Sequence, residues 1–271
     1  MSDENPASNS STPAASTRSP GTRLFLAFLG VIGGFYLLIL AYQVLVPVEL
    51  RATETPAFIE RCRQICETYG LVPTGRLDDD ARDFLEAIDQ KKLVGDLPAI
   101  LADESHETAV TEEHPLLGQA APEFSLLDPY RSRKTLKELN EDGPVIVVFY
   151  YGYFCNHCVA QLFALNDDLK LFQEAGATIV AISADAPEET AKKYAKYGDF
   201  NLTVLSDPDN RVAEAFGVFS RGKDDTEDDL KHGTFVIDRS GVVVWVQSGY
   251  TPFTDNRSLL KIVAEANPSS K

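Results

Sequence analysis

The chain has 271 residues, with 41 acidic and 25 basic side chains and a net charge of −16. That length holds one α/β catalytic domain with its own core plus a smaller segment. So acidic a surface repels phosphate backbones, which excludes nucleic acid as a partner.

Residues 1–22 are rich in Ser, Thr, Pro, Ala and Asn and bury too little apolar surface to offset the entropy of ordering, so they read as a disordered tail. From Leu24 to Val46 there is no charged residue. A run of roughly 20 apolar residues is what a helix needs to cross a bilayer, so residues 24–46 are expected to form a transmembrane helix. The run is too long for the apolar part of a signal peptide, and no Ala-x-Ala site follows it. Arg18 and Arg23 on one side are nearly matched by Arg51, Arg61 and Arg63 on the other, so flanking charge does not orient the helix. A short tail before one anchor places residues 51–271 outside the cytoplasm, giving a single-pass membrane protein whose main domain sits where disulfides persist. Gly30 and Gly34 have the small-residue spacing that lets two such helices pack into a homodimer.

Beyond the membrane, Thr55-Pro56 marks a helix start and Gly70 its end, with Phe58, Ile59, Cys62, Ile65, Cys66 and Tyr69 on one face. A second helix is expected from Leu77 to Gln90, making a small helical hairpin within residues 55–102. Residues 103–115 are acidic and without periodicity, which predicts a linker in which His106 and His114 are solvated. The main domain then occupies residues 116–268. Within it Pro144 to Tyr151 is an apolar run expected to be a strand buried on both faces. A helix through Phe172 and a strand over Thr178–Ser183 complete a βαβ unit. Ala186–Tyr197 and Arg211–Phe216 read as helices and Thr203–Leu205 as a short strand. Thr234–Ile237 and Val242–Gln247 are strands joined by the turn Asp238-Arg239-Ser240-Gly241. A helix over Asp255–Ala266 closes the domain, and Arg221–Lys231 is an exposed loop.

The four cysteines are too few for a disulfide scaffold and fall in two close pairs, a pattern of chemistry or metal binding. Cys155-Asn156-His157-Cys158 lies where a strand gives way to a helix. At that position unpaired backbone N–H groups favour the Cys155 thiolate, and an imidazolium on His157 adds to the effect. Stabilising the thiolate stabilises the dithiol, so the pair is expected to be oxidising. In this reading Cys155 is the nucleophile of a thiol-disulfide oxidoreductase and Cys158 resolves the mixed disulfide. Val159 excludes a c-type haem site, which needs His directly after the second cysteine.

Tyr150 through Cys158, Ser206 through Ala213, Phe216-Gly217-Val218 and Thr234 through Asp238 closely resemble the alkyl hydroperoxide reductase/thiol-specific antioxidant family, over about residues 116–266. Within it the chain is similar to the peroxiredoxin-like branch that carries C-x-x-C, and also to membrane-anchored thioredoxin-like disulfide proteins. The resemblance implies an α/β thioredoxin-like fold, a central mixed sheet flanked by helices, here preceded by the transmembrane helix and the helical hairpin. It also implies thiol-dependent redox activity without a cofactor. The peroxiredoxin signature Pro-x-x-x-Thr-x-x-Cys aligns with Tyr151, Cys155 and Cys158, keeping only the peroxidatic position, as Cys158. Where a peroxiredoxin would have arginine and a thioredoxin cis-proline, before Thr234, this chain has His232. A peroxidase would therefore reverse the roles, with Cys158 attacking a hydroperoxide and Cys155 resolving the sulfenic acid. The implied partners are protein thiols or disulfides, or a hydroperoxide, together with a thiol electron donor.

The remaining candidates have plainer readings beside the functional ones. Cys62 and Cys66 share a helical face but cannot bridge each other there. They are packed hydrophobes, a relay of electrons to or from the C-x-x-C pair, or part of a shared metal site. Tyr153, Phe154 and His232 are candidate pocket residues. Two thiolates and His232 would also suit copper, the third functional reading.

Overall fold

The computed structural model describes residues 20–45, 57–72, 74–153, 156–223 and 226–267. The chain divides between Glu54 and Thr55 into two units. The first contains α1 (Pro20–Leu45), a 26-residue helix whose Leu24, Phe28, Ile32 and Phe35 through Leu38 are exposed. Among the described residues no helix is long and apolar enough to cross a membrane. The transmembrane expectation for residues 24–46 thus gains no support from the structure. Residues 20–22, expected in the tail, already belong to α1, and residues 1–19 lie outside the described residues.

The second unit runs α2 (Ala57–Thr68), α3 (Leu77–Ala87), α4 (Leu97–Leu101), β1 (Ser125–Leu127), β2 (Arg133–Thr135), α5 (Leu136–Leu139), β3 (Val145–Phe149), α6 (Asn156–Asp167), α7 (Leu169–Glu174), β4 (Thr178–Ser183), α8 (Pro187–Tyr197), β5 (Thr203–Ser206), α9 (Arg211–Ala215), β6 (Phe219–Ser220), β7 (Asp229–Leu230), β8 (His232–Ile237), β9 (Val243–Gly249) and α10 (Asn256–Ala266). Seven strands form one sheet in the order β2-β1-β5-β4-β3-β8-β9, and β6 and β7 make a separate ribbon. β3, β4 and β5 are parallel, while β8 and β9 add antiparallel strands on the other side of β3. This is the mixed sheet expected of a thioredoxin-like fold.

β3 is buried throughout because both faces of the sheet are covered. Ile146, Val148 and Tyr150 meet Leu165 and Phe172 from the α6–α7 segment and Leu259 and Val263 from α10. Val145, Val147, Phe149 and Tyr151 pack with Phe216, Phe235 and Ile237 on the opposite face. The predicted helix through Phe172 is broken at Asp168, a buried carboxylate that accepts from the Leu93 N–H at 3.0 Å and from Asn256 Nδ2 at 2.8 Å. Burial of the bonded carboxylate there outweighs helical continuity. Asp207 belongs to the Ser206–Ala213 motif and accepts from the N–H groups of Arg211, Val212 and Ala213 at 3.1, 2.9 and 2.9 Å. Its role is structural. Such a cap contributes about 1–2 kcal/mol.

The two expected helices are present, with Gly70 at φ +69° turning the chain after α2, but they are no appendage. Ala81, Phe84 and Leu85 of α3 pack on Ala160 and Ala164, small residues one turn apart on α6. The predicted linker is also corrected. Ala109 N–H donates to Ser258 Oγ at 2.8 Å, Trp245 Nε1 to the Ala109 carbonyl at 3.0 Å, and Glu112 N–H to the Val246 carbonyl at 2.9 Å. Residues 109–112 therefore satisfy the outer edge of β9, where an unpaired strand would otherwise face water. His106 is bonded to Asp255 at 3.1 Å and His114 is edge-on to Phe235, so neither is simply solvated. The loop at 221–231 contains β7, paired with β6.

Candidate redox site

Directly after β3 the chain makes a tight turn at Gly152, whose φ of +119° is a conformation open to glycine. The Tyr153 N–H donates to Asp185 Oδ2 at 2.8 Å, and burial raises the Asp185 pKa. A Cβ on Gly152 would stand 2.8 Å from both carboxylate oxygens. The sequence gives no signal for Asp185, which lies 32 residues beyond Tyr153. Phe154 and Cys155 lie outside the described residues. α6 then starts at Asn156, placing Cys158 in its first turn, where backbone N–H groups favour negative charge on sulfur.

Cys158 is fully buried and disulfide-bonded, whereas Cys62 and Cys66 carry thiols. α2 brings both of these thiols to the start of α6. Cys62 Sγ lies 3.7 Å from Cys158 Sγ. The His157 ring spans the other two sulfurs, with Nε2 3.7 Å from Cys158 Sγ and Nδ1 3.6 Å from Cys66 Sγ. Burial among apolar neighbours pushes the Cys62 thiol up to about 12 and also raises that of Cys66, with the Asp80 carboxylate adding to the latter.

The imidazolium expected on His157 is corrected by its surroundings. The ring is 1% exposed, Phe84 lies 5.4 Å away between centroids, and desolvation lowers its pKa to about 4. It is neutral at pH 7. A neutral imidazole donates from one nitrogen only. Because Cys66 stays protonated, its S–H suits an accepting Nδ1, which leaves Nε2–H to donate toward Cys158.

His232 begins β8 and stacks on Tyr151 at 4.4 Å, with its ring 6.2 Å from that of His157. Desolvation and repulsion from His157 lower its pKa to about 3, partly offset by the Phe149 backbone. Tyr153 is not brought to the cysteines. It packs in the other apolar layer against Tyr150, Tyr194 and Phe200. Cys62, His157 and Cys158 offer ligand atoms within 4.8 Å of one another. This set differs from the copper set expected from the sequence, which used His232. A groove of about 400 Å³ opens elsewhere, at the α3–α6 seam among Arg82, Glu86, Asp89, Lys91 and Asp167, and none of the cysteines lines it.

A buried, disulfide-bonded Cys158 in the first turn of the helix that follows the central strand defines a thiol-dependent oxidoreductase with a thioredoxin-like fold. Residues 117–246 match the model of the AhpC/TSA family. Peroxiredoxin Bcp of Escherichia coli is 33% identical over 130 residues, which cover 46% of this chain and 81% of that protein. Alkyl hydroperoxide reductase E of Mycobacterium tuberculosis is 33% identical over 129 residues, covering 47% and 81%. The crystal structure of peroxidoxin BcpB from Mycobacterium tuberculosis aligns with a TM-score of 0.50 and 31% identity, over 56% of this chain and 98% of that one. The chain belongs to the AhpC/TSA family.

Proposed function

We propose that this protein is a thiol peroxidase in which Cys158 is the peroxidatic cysteine and Cys155 the resolving one. The observation that carries the reading is the place of Cys158: the aligned peroxidatic position, in the first turn of α6, with His157 Nε2 at 3.7 Å. The relatives named peroxiredoxin and alkyl hydroperoxide reductase support it, and favour it over disulfide exchange initiated at Cys155. The Cys158 thiolate attacks one peroxide oxygen, an S–O bond forms as the O–O bond breaks, and the departing oxygen is protonated to water or alcohol. The Cys155 thiol then attacks the sulfenic sulfur, water leaves, and a disulfide remains for an external dithiol to reduce. The helix N-terminus and a donating Nε2–H both lower the energy of the thiolate. The disulfide at Cys158 is the product this cycle expects.

The test is the rate at which hydrogen peroxide oxidises the reduced full chain. Cys158→Ala is expected to abolish the fast reaction, lowering it at least roughly a hundredfold. Cys155→Ala is expected to keep the first step and accumulate sulfenic acid. A fast reaction that survives in Cys158→Ala, or a wild-type rate no greater than that of an ordinary thiol, removes the peroxidase reading and leaves disulfide exchange through Cys155.

We also propose that α1 anchors the chain in a membrane, with the redox domain outside the cytoplasm. In the sequence Leu24–Val46 carries no charge, and exposed apolar side chains at four consecutive positions, Phe35 through Leu38, face all sides of the helix. A location outside the cytoplasm suits a persistent disulfide. Alkaline extraction of membranes from cells making the full chain should leave it in the pellet, and the double variant Ile32→Arg/Phe35→Arg should release it. Full release of the wild type by alkali would overturn the anchor.

A further inference from the structure

We infer that Cys62 is a third redox-active cysteine, which takes the oxidising equivalent from Cys158 by forming a Cys62–Cys158 disulfide. This deepens the peroxidase reading and rests on it for the origin of the oxidising equivalent. Cys62 lies outside the segment shared with the family model, residues 117–246, on a helix that the chain adds before that domain. The added helix nonetheless sets its thiol 3.7 Å from Cys158 Sγ. That is van der Waals contact between sulfurs, and a bond of about 2.0 Å requires only a small further approach.

α2 is held in place from outside the cysteine cluster. Arg61 Nη1 is paired with Asp229 at 3.1 Å, and its guanidinium lies 3.9 Å over the Tyr250 ring. The neighbouring residues Arg63 and Gln64 are exposed, so α2 is a surface element. Cys158 is fully buried and Cys62 is 7% exposed. A bulky external dithiol therefore meets α2 before it meets Cys158, and moving the oxidised sulfur to α2 shortens its approach.

Two balanced routes lead to the same bond. When Cys158 is a sulfenic acid, Cys62 attacks its sulfur, the S–S bond forms, the S–O bond breaks, and the Cys62 proton leaves with the hydroxyl as water. When Cys158 is already in a disulfide, Cys62 displaces the sulfur joined to it, and that sulfur takes the proton lost by Cys62. The second route only exchanges one disulfide for another and needs no further oxidant.

The experiment oxidises the reduced full chain with one equivalent of hydrogen peroxide and, separately, with diamide. The sample is quenched with acid, alkylated and digested, and the cross-linked peptides are mapped by mass. In Cys155→Ser the peptide pair joining Cys62 to Cys158 should become the main oxidised product with either oxidant, and Cys62→Ser should abolish it. In the wild type the same pair should appear as a minor species. A cross-link formed with diamide but not with peroxide sinks the peroxidase reading while leaving the relay standing. If Cys158 is oxidised in Cys155→Ser while Cys62 remains fully alkylated with both oxidants, the relay is wrong.

Discussion

Acidification from pH 6.5 to 4 is expected to destabilise the redox domain by up to about 3 kcal/mol for each of the two buried histidines, since each pKa unit of difference between folded and unfolded states corresponds to ~1.4 kcal/mol. An unfolded histidine titrates near 6.5, but burial holds His157 at about 4 and His232 at about 3. Between those values the unfolded chain binds protons that the folded chain does not. Stability therefore rises with pH across this window and is lost as pH falls through it. Asp168, Asp185 and Asp207 act in the opposite sense, because burial raises their pKa values and the folded state takes up protons first. Urea unfolding at pH 6.5, 5.5 and 4.5 measures the net effect. In the middle of the window His232→Phe should remove about 1.4 kcal/mol per pH unit from the slope, one proton's worth. A slope identical to wild type would show that His232 takes up its proton without unfolding. The same acid sensitivity bears on the site, because a protonated Nδ1 of His157 can no longer accept from the Cys66 S–H.

Gly152→Ala is expected to lower stability by roughly 2–6 kcal/mol, combining ~1–3 for a non-glycine residue in a sparsely populated conformation with ~1–3 for crowding. The crowding has a named source, the Asp185 carboxylate 2.8 Å from the added Cβ. The turn precedes the helix that carries Cys158, so on the proposed peroxidase reading displacement of Asp185 from the Tyr153 N–H should also slow peroxide oxidation. Denaturant midpoints of Gly152→Ala, Asp185→Ala and the double variant separate the two contributions. In the Asp185→Ala background the glycine substitution should cost only the backbone part. A Gly152→Ala protein within about 0.5 kcal/mol of wild type, the range of an inert surface change, would mean that the turn relaxes and that Asp185 does not fix it.

Much of the architecture is legible without coordinates because local pattern and tertiary packing agree. The apolar run at Val145–Phe149 is a central strand, Thr178–Ser183 has the predicted bounds, and the Asp238–Gly241 turn joins β8 to β9. β1 and β2 escape notice because each has three residues, too few for a period of two to stand out. Asp168 breaks a helix that propensity would continue, since its bonds to Leu93 and Asn256 come from segments 75 and 88 residues away.

At the site, spacing along the chain shows the C-x-x-C pair, its place between a strand and a helix and the family resemblance, but it leaves open whether Cys155 or Cys158 reacts first. The charge of His157 follows from the fold, because desolvation depends on what surrounds the ring, and Phe84 comes from 73 residues away. The fold also separated Tyr153 from the cysteines: the turn at Gly152 breaks the strand's alternation, so Tyr153 joins the layer of Tyr150 rather than that of Tyr151 and Cys158. Above all it joined Cys62 to Cys158 across 96 residues: α2 is held against the start of α6 by Arg61, Asp229 and Tyr250, contacts that no periodicity in either helix encodes.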